Sequence, residues 1–321
     1  MSHPLPAPPF SLFRPRTILV ALICAVLAIG VVPGEADAAE VITSSSAVAA
    51  AAPLPTFDRD FSGDGMPDVL AITSTGALMM YRGAYDSMRG GYLPLSGSRA
   101  SVIGSGWSKF DQVFSPGDFS GDGNPDLLAR DRSGGLWLYR GDGYGGWLGS
   151  AKVGIGWGPF TALIPAGDFD ANGTNDVFAR DRSGRLWLYS GNGTGGFAGS
   201  RIVGTGWGIF SLLAGGVDLN RDGSSDVVGR DSYQVSLDGP PAAGDWLFHY
   251  HGNGAGRWLP GQSQAADTGW KKINSIVPGG QRALVARDVQ GRLWLYLLAD
   301  RGGWQPPLQI GSGWGSMRLV G

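Results

Sequence analysis

Four nine-residue loops rich in aspartate recur along the chain, and each runs directly into an apolar segment. Oxygen-bearing side chains fall mainly at loop positions 1, 3, 5 and 9, and a glycine at position 6 lets the position-7 carbonyl turn toward the same centre. Such an oxygen set binds a hard cation, and three carboxylates per loop favour calcium. The expected ligands are Asp60, Ser62, Asp64, Met66 and Asp68; Asp118, Ser120, Asp122, Asn124 and Asp126; Asp168, Asp170, Asn172, Thr174 and Asp176; and Asp218, Asn220, Asp222, Ser224 and Asp226.

Ordinary turns, EF-hands and soft-metal sites fit these loops less well than calcium sites do. Aspartate, glycine and asparagine favour turns in general, but four copies in phase argue against coincidence. An EF-hand needs a glutamate at position 12 and a helix on each side, whereas position 12 is Ala71, Ala129, Ala179 or Gly229. The loops contain no cysteine or histidine, which argues against a soft-metal site. The sequence therefore predicts about four bound calcium ions.

The N-terminal segment has the features of a secretory signal peptide. Arg14 and Arg16 precede an uncharged apolar stretch over residues 17–32, and residues 36–38 offer small side chains for cleavage. We therefore expect a signal peptide over residues 1–38 and a flexible linker, rich in alanine, serine and proline, over residues 39–55. The alternative is an uncleaved anchor, because the apolar stretch is only slightly shorter than a membrane span. The protein is expected to be extracellular, secreted or associated with the cell surface, with no membrane insertion after signal cleavage.

Charge and cysteine content narrow the class of partner. The formal net charge is −2, and basic residues are spread along the sequence without a tract that would favour nucleic acid or an anionic membrane. The single cysteine, Cys24, lies in the apolar segment, so the mature chain cannot form an internal disulfide. Bound calcium can take the place of a disulfide in stabilising an extracellular protein. We expect a monomer that binds no nucleic acid.

From residue 56 onward the chain repeats one unit five times, and three aromatic sets mark the repeat. The first set ends a Gly-X-Gly-Trp tetrad or a variant of it, the second lies in Leu-Trp-Leu-Tyr or a related segment, and the third follows a glycine-rich turn. The first set is Trp107, Trp157, Trp207, Trp270 and Trp314; the tryptophans of the second are Trp137, Trp187, Trp246 and Trp294; the third is Tyr92, Trp147, Phe197, Trp258 and Trp304.

Each unit contains four short candidate strands and no convincing helical periodicity, which is typical of a β-propeller blade. The sequence therefore predicts an all-β domain over residues 56–321 with five four-stranded blades. The segment 317–321 resembles an inner strand with no loop after it, so we expect it to complete the first blade and close the ring. The fifth unit has lost its aspartate loop after Pro278, and the fourth carries an insertion between Asp231 and Trp246.

The loop pattern Asp-X-[Asp/Asn/Ser]-X-[Asp/Asn]-Gly-X-X-Asp, followed by an apolar strand, resembles the FG-GAP or VCBS repeat family, best known from integrin alpha-subunit headpieces. The resemblance covers about residues 57–321 and implies a propeller in which each loop joins the two innermost strands of a blade and holds calcium. The tetrads and glycine-rich turns are more loosely similar to the five-bladed tachylectin lectins. Integrin heads have seven blades, so the blade number expected here differs from theirs.

Several further motifs are better interpreted as structural than as catalytic or ligand-binding. Residues 141–146 and 191–196 match a dinucleotide-binding fingerprint, but no helix follows either segment. His249 and His251 alternate on a strand and could face one metal ion, although two histidines without a third ligand make a weak site. No nucleophile elbow or triad setting is present, so we expect no enzyme activity. Arginine–aspartate pairs recur at the end of the second strand, where we expect structural pairing or turn capping: Arg130-Asp131, Arg180-Asp181, Arg230-Asp231 and Arg287-Asp288.

The aromatic sets suggest a ligand class. We expect the second set to pack between blades. The third set is surrounded by glycine and polar residues, so its rings are expected to stay accessible and to stack on sugars, with avidity from repetition around the ring. The sequence thus predicts a non-catalytic binding module for a glycan or cell-wall polysaccharide. The alternative is a protein–protein interaction or adhesion platform for a cell-surface protein, as the integrin resemblance implies.

Overall fold

The computed structural model describes residues 59–86, 91–94, 100–231, 246–260, 264–267, 269–280, 282–299 and 303–321. All of them belong to one compact unit, Ala50–Gly321. The predicted signal peptide (1–38), the linker (39–55) and most of the insertion of the fourth unit (232–245) lie outside the described residues. None of the helical turns in the described ranges approaches the length and hydropathy that crossing a bilayer demands.

Short strands follow one another through the described part of the chain. In chain order they are β1 (Val69–Ile72), β2 (Leu78–Tyr81), β3 (Gly83–Asp86), β4 (Gly91–Pro94), β5 (Ala100–Gly104), β6 (Phe110–Gly117), β7 (Asp126–Asp131), β8 (Leu136–Gly141), β9 (Trp147–Gly154), β10 (Phe160–Gly167), β11 (Asp176–Asp181), β12 (Leu186–Gly191), β13 (Phe197–Gly204), β14 (Phe210–Val217), β15 (Asp226–Asp231), β16 (Leu247–Tyr250), β17 (Gln264–Asp267), β18 (Ile273–Pro278), β19 (Ala283–Asp288), β20 (Leu293–Leu297), β21 (Leu308–Gly311) and β22 (Arg318–Leu319). Short 3-10 turns occupy Trp107–Lys109, Trp207–Ile209 and Trp270–Lys272.

The strands form five antiparallel four-stranded blades, which confirms the predicted all-β propeller. From the inner to the outer strand, the blades are β22-β1-β2-β5, β6-β7-β8-β9, β10-β11-β12-β13, β14-β15-β16-β17 and β18-β19-β20-β21. Neighbouring inner strands contact one another, as β10 does with β6 and β14. A separate hairpin, β3-β4, lies outside these five sheets.

The C-terminal strand closes the ring as predicted. β22 pairs antiparallel with β1, and Leu319 lies opposite Ala71. The amide of Val320 donates to the carbonyl of Leu70 at 3.0 Å. The last residue also reaches the neighbouring blade, because the amide of Ser115 on β6 donates to the Gly321 carbonyl at 2.6 Å. The two ends of the propeller are therefore joined by backbone hydrogen bonds.

The core lies between adjacent blades and is built around the first aromatic set. All five tetrad tryptophans are buried. Each described pairing places the indole against a tyrosine of the next blade, as for Trp157 and Tyr189, whose ring centroids are 4.5 Å apart. A Cβ on Gly154 would lie 2.3 Å from Trp157 Nε1, so the first glycine of the tetrad leaves room for the ring. The tetrad thus forms the hydrophobic joint between blades.

The fourth unit has a register different from the predicted one. Leu247 lies opposite Arg230, which is the pairing that the first leucine of Leu-Trp-Leu-Tyr makes in the other blades. Phe248 therefore occupies the position of Trp187, and Trp246 precedes the strand instead of joining the second aromatic set. The insertion before this strand removes the fixed spacing on which the sequence alignment depended.

Two further connections depart from the repeat. Tyr92 lies on β4 opposite Tyr85, in the extra hairpin of the first blade rather than on its outer strand, and its ring is outside the described side chains. In the fifth blade a short turn replaces the aspartate loop, and the Gly279 amide donates to the Ala283 carbonyl at 2.8 Å. The loss of the fifth loop is therefore confirmed.

Candidate calcium loops and blade junctions

The second, third and fourth aspartate loops connect the inner strand of a blade to its second strand, whereas the first loop leads into β1, whose inner neighbour is the C-terminal strand β22. The first aspartate of each loop organises the turn. The Asp60 carboxylate accepts hydrogen bonds from the amides of Gly63, Asp64 and Gly65 at 2.6–3.0 Å. The position-1 aspartates of the second and third loops accept the amides of positions 5 and 6 in the same way. The position-6 glycines have φ between 81° and 91°, a conformation that favours glycine.

The position-9 aspartate is the most buried carboxylate of each loop. Asp126 is fully buried; its Oδ2 accepts the amides of Phe119 and Ser120, and its Oδ1 accepts the amide of Gly141 at 3.0 Å. Burial raises the pKa of Asp126 to about 6 and that of Asp176 to about 7. The cause is that burial removes water from the ionised carboxylate. A nearby cation would favour the ionised form and so lower the pKa again.

The carboxylates converge as a cation site requires. In the first loop, oxygens of Asp60, Asp64 and Asp68 lie within 4.8 Å of one another, and the position 1, 3 and 9 aspartates of the third loop form an equivalent group. One oxygen of this second group, Asp170 Oδ1, is buried and has no hydrogen-bond partner within the described part of the chain. Clustered carboxylates and a buried orphaned oxygen fit a hard divalent ion such as calcium. The direction of the position-7 carbonyl stays a prediction.

Each of the first three loops also touches the glycine-rich turn of the next blade. The turn amide donates to the carbonyl of loop position 2, in the pairs Gly145–Phe61 at 2.6 Å, Gly195–Phe119 at 2.9 Å and Gly256–Phe169 at 2.7 Å. The approach is close, because a Cβ on Gly121 would lie 2.2 Å from the Gly193 carbonyl oxygen. The glycines that resemble a dinucleotide fingerprint therefore serve backbone packing between blades. An ion that orders a loop would order this junction as well.

The two histidines of the fourth blade have separate partners. His251 Nδ1 lies 2.9 Å from Asp226 Oδ2, and this hydrogen bond raises the pKa of His251. His249 is buried and meets Trp304 of the fifth blade edge to face, with ring centroids 5.5 Å apart. Burial lowers the pKa of His249 to about 4. The imidazole centroids are 6.3 Å apart, and each ring serves its own contact rather than a shared metal ion.

The four described rings of the third aromatic set pack against the preceding blade and are half-buried, whereas the sequence predicted accessible rings. Trp147 Nε1 donates to the Ile103 carbonyl at 2.8 Å, and Trp258 Nε1 donates to the Val203 carbonyl at 2.9 Å. Phe197 contacts the tetrad tryptophan of the preceding blade, and Trp304 does the same. The residues that partly bury these rings belong to a different blade, so the sequence near each ring does not show them. Sugar binding by Tyr92, Trp147, Phe197, Trp258 and Trp304 stays a prediction.

The arginine of each Arg-Asp pair ties its blade to the next one. Arg130 Nη1 donates to the carbonyls of Trp157 at 3.0 Å and Phe160 at 2.6 Å. The same two carbonyl positions of the following blade accept from the other three arginines, namely Arg180, Arg230 and Arg287. The structural role predicted for the arginines is thus confirmed, and it is a link between blades.

The first blade obtains its arginine from the other end of the chain. Ile72 occupies the position of Arg130, and Arg318 lies opposite it on β22. Arg318 Nη1 donates to the carbonyls of Phe110 at 2.7 Å and Asp111 at 2.9 Å on the second blade. The sequence analysis missed this residue. Two features of the sequence point to Arg318: the first unit has no Arg-Asp pair, and the terminal strand contains an arginine.

In three of these Arg-Asp pairs the aspartate caps the next turn and fixes a tryptophan. Asp131 accepts from Ser133 and Gly135 and, at 2.7 Å, from Trp137 Nε1; the Ser133 and Trp137 hydrogen bonds are the main causes that lower the pKa of Asp131. Asp181 and Asp288 cap their turns similarly and accept from Trp187 and Trp294. Trp137 and Trp187 also pack on the core between blades, as expected of the second set.

A basic side chain lies over each of these three indoles, which the sequence analysis did not anticipate. The ammonium or guanidinium to ring-centroid distances are 4.9 Å for Lys152 over Trp137, 5.5 Å for Arg185 over Trp187 and 5.2 Å for Arg292 over Trp294. Two of these cations stand two residues before the tryptophan, so the spacing Arg-Leu-Trp was the available signal. We call these the tryptophan–cation pairs.

Comparison with known proteins identifies the repeat. Residues 118–179 and 168–229 match the model of the FG-GAP-like repeat. No curated protein matches the chain by sequence.

Solved structures with a similar fold include several propellers. One is an Agrocybe aegerita lectin described as recognising non-reducing terminal N-acetylglucosamine, with 14% identity, a TM-score of 0.43, and coverage of 82% of this chain and 84% of that chain. Another is the BP39L lectin of Burkholderia pseudomallei, with 20% identity, a TM-score of 0.40, and coverage of 78% and 68%. A third is AofleA of Arthrobotrys oligospora, with 12% identity, a TM-score of 0.39, and coverage of 81% and 76%. At these identities the likeness concerns the fold alone.

Proposed function

We propose that this protein, a five-bladed β-propeller that carries FG-GAP-like repeats, is a secreted, calcium-stabilised binding module without catalytic activity, and that its ligand is a glycan. The main support for calcium binding is that loop carboxylates converge to within 4.8 Å of one another at a junction between blades. Buried carboxylates such as Asp176, whose pKa is raised to about 7, gain most from a neighbouring cation.

Calcium, when bound, supplies positive charge that stabilises the ionised loops. The chain's own residues do the remaining work: the position-9 carboxylate joins the loop to the third strand, and the position-2 carbonyl holds the next blade. The repeated arginines and aspartates are committed to backbone carbonyls, turn amides and indoles. Their structural use supports a non-catalytic role, and a rigid ring of similar blades supports binding to a ligand that itself repeats.

The calcium site is tested by stoichiometry in one loop. Asp122→Ala should reduce the number of bound calcium ions by one, because it removes the position-5 carboxylate of the second loop. The matched control is Asp142→Ala, which removes a carboxylate that accepts the Tyr144 and Gly146 amides in the adjoining glycine-rich turn. Equilibrium dialysis with metal analysis gives the count. An unchanged stoichiometry in Asp122→Ala, or an equal loss in both variants, would contradict the assignment.

The glycan ligand is tested on an array of neutral and acidic glycans, in calcium and after removal of calcium by a chelator. We expect binding in calcium and a lower melting temperature after chelation, because an ion at a hundredfold excess over its dissociation constant stabilises by about 2.7 kcal/mol. A blank array with a folded, calcium-loaded protein would refute the glycan ligand and favour the protein-adhesion alternative.

A further inference from the structure

The topology separates the charges of this chain onto two faces of the ring. Connections alternate between the two ends of antiparallel strands, so the aspartate loops and glycine-rich turns share one face, here called the loop face. The turns between second and third strands and the links between blades share the opposite face, here called the link face. Direct contacts support this placement: the Trp157 and Trp207 amides donate to the Gly134 and Gly184 carbonyls at 2.9 Å.

The link face is strongly basic among the described residues. Its acids are largely engaged: Asp111 pairs with Arg130 at 2.9 Å, and Asp131, Asp181 and Asp288 cap their own turns. The loop face carries the twelve loop aspartates. The link-face cations whose side chains are exposed are Lys109, Arg132, Arg182, Arg185, Lys271, Lys272 and Arg292. Residues that are distant in sequence thus form one positive surface, which is not visible from the order of residues in the sequence.

The tryptophan–cation pairs lie at the edge of this face, where the third strand begins. Arg185 Nε donates to Asp181 Oδ2 at 2.7 Å and Arg292 Nε donates to Asp288 Oδ2 at 2.6 Å, while the same aspartates accept from the indoles. The side chains of Arg185 and Arg292 remain 49% and 40% exposed. Each guanidinium is therefore held in place by one carboxylate while its outer edge faces solvent. A fixed guanidinium beside a partly exposed indole can bind an anionic group and pack on a sugar ring.

We propose that the link face binds an acidic polysaccharide, with the tryptophan–cation pairs as its subsites. This inference rests on the proposed glycan-binding function and names the ligand class. Three similar pairs on separate blades suit a polymer whose anionic groups repeat. Exposed aliphatic residues also occur on this face, but Ile155, Ile209 and Val289 lie on three separate connections. A bilayer would require a larger continuous apolar surface, so the observations favour a saccharide polymer over a lipid surface.

The test uses the full chain in calcium, with polygalacturonate as the acidic probe and dextran as the neutral control. A link-face variant combines Lys109→Gln, Arg132→Gln, Arg185→Gln and Arg292→Gln. A loop-face variant removes the same charge through Arg82→Gln, Arg140→Gln, Arg221→Gln and Arg257→Gln. We expect the link-face variant to bind polygalacturonate about tenfold more weakly or worse, with a shallower salt dependence, because fewer counterions are released. The loop-face variant should bind as the wild type does.

Two further variants test the proposal if the fourfold link-face variant folds poorly. Lys271→Gln with Lys272→Gln leaves the tryptophan–cation pairs intact and should give a smaller loss of the same sign. Arg185→Lys keeps the charge but loses the planar fork, so it should weaken binding if the pair is a subsite. Equal losses in the link-face and loop-face variants, or no loss in either, would overturn the proposal.

The remaining outcomes separate this inference from the proposed function. Binding to phosphatidylglycerol vesicles but not to polygalacturonate, with the same sensitivity to link-face variants, would assign the face to a lipid surface and refute the polysaccharide. Failure to bind any acidic polymer while neutral glycans bind on the array would refute this inference and leave the proposed function standing. Failure on the whole array would remove both.

Discussion

One side-chain position in the third strand shows how the same fold carries different chemistry in different blades. The position that is Leu138, Leu188 or Leu295 in three blades is His249 in the fourth, and all four side chains are buried. His249 Nε2 has no hydrogen-bond partner among the described residues. Burial therefore favours the neutral imidazole, which makes the stability of the fold at this position sensitive to pH.

His249 should make the stability of the propeller fall as the pH is lowered. Its folded pKa is about 4 against 6.5 in the unfolded chain, so between these values the unfolded state binds more protons. The free energy of unfolding should drop as the pH falls from 6.5 toward 4, by up to about 3 kcal/mol. The variant His249→Leu, which restores the residue of the other blades, should lack this component. Urea unfolding at several pH values in saturating calcium measures the difference.

Burial also raises the pKa of Asp68, Asp126 and Asp176, to about 6, 6 and 7, so the comparison rests on the difference between the two proteins. The proposed calcium ions would keep the loop carboxylates ionised in both proteins, which removes the contribution of these carboxylates from that difference. If His249→Leu and the wild type lose stability in parallel between pH 6.5 and 4.5, the buried neutral imidazole is not the cause.

The elements are joined by cross-blade hydrogen bonds as well as by apolar packing. Four blades present an arginine from the second strand to two carbonyls of the next blade, close to the tetrad tryptophan, and the first blade presents Arg318 from its inner strand. Desolvation lowers the pKa of Arg180 and Arg287 in these positions, although both remain charged at neutral pH. A partly desolvated charged donor thus bonds to two carbonyls at the start of the next inner strand.

Loss of one arginine link should weaken the propeller without changing its fold. In Arg180→Met the aliphatic stem is largely kept, but the carbonyls of Trp207 and Phe210 lose the guanidinium donor. We expect a decrease in the free energy of unfolding of about 1–3 kcal/mol. The matched control is Arg182→Met, an exposed neighbour on the following turn. Chemical denaturation of both variants gives the comparison, and equal stability would show that the link contributes nothing.

The element level is also where sequence analysis succeeded and failed. The four loops, the tetrad tryptophans and the inner strand over residues 317–321 were predictable because each is a local pattern repeated at fixed spacing. The register of Leu247 was not predictable, because an insertion precedes it. The packing of Trp147 was not predictable either, because residues of another blade cover it. The same holds for the candidate calcium site. The expected ligand residues could be predicted from the local pattern, whereas the burial that raises the pKa of Asp126 depends on the fold and could not.

At the scale of the whole molecule, folding redistributes a nearly neutral chain into two faces of opposite charge. The net charge of −2 gives no hint of this, since acidic loops and basic turns alternate along the sequence at intervals shorter than one blade. Antiparallel strands send alternate connections to opposite ends, so an alternation in sequence becomes a separation in space. Bound calcium would reduce the negative charge of the loop face and leave the positive link face as the dominant field.

Closure of the ring by the terminal strand gives the last prediction. Deletion of residues 317–321 removes the partner of β1 and the Arg318 contacts to the second blade. The exposed edge of β1 should then lower the melting temperature and promote association that rises with protein concentration, because an unpaired strand edge can pair with another chain. Arg318→Met retains the strand and should cost only about 1–3 kcal/mol, with no association. Calorimetry and light scattering separate these effects, and a truncated chain as stable and monomeric as the full one would mean that β22 does not close the ring.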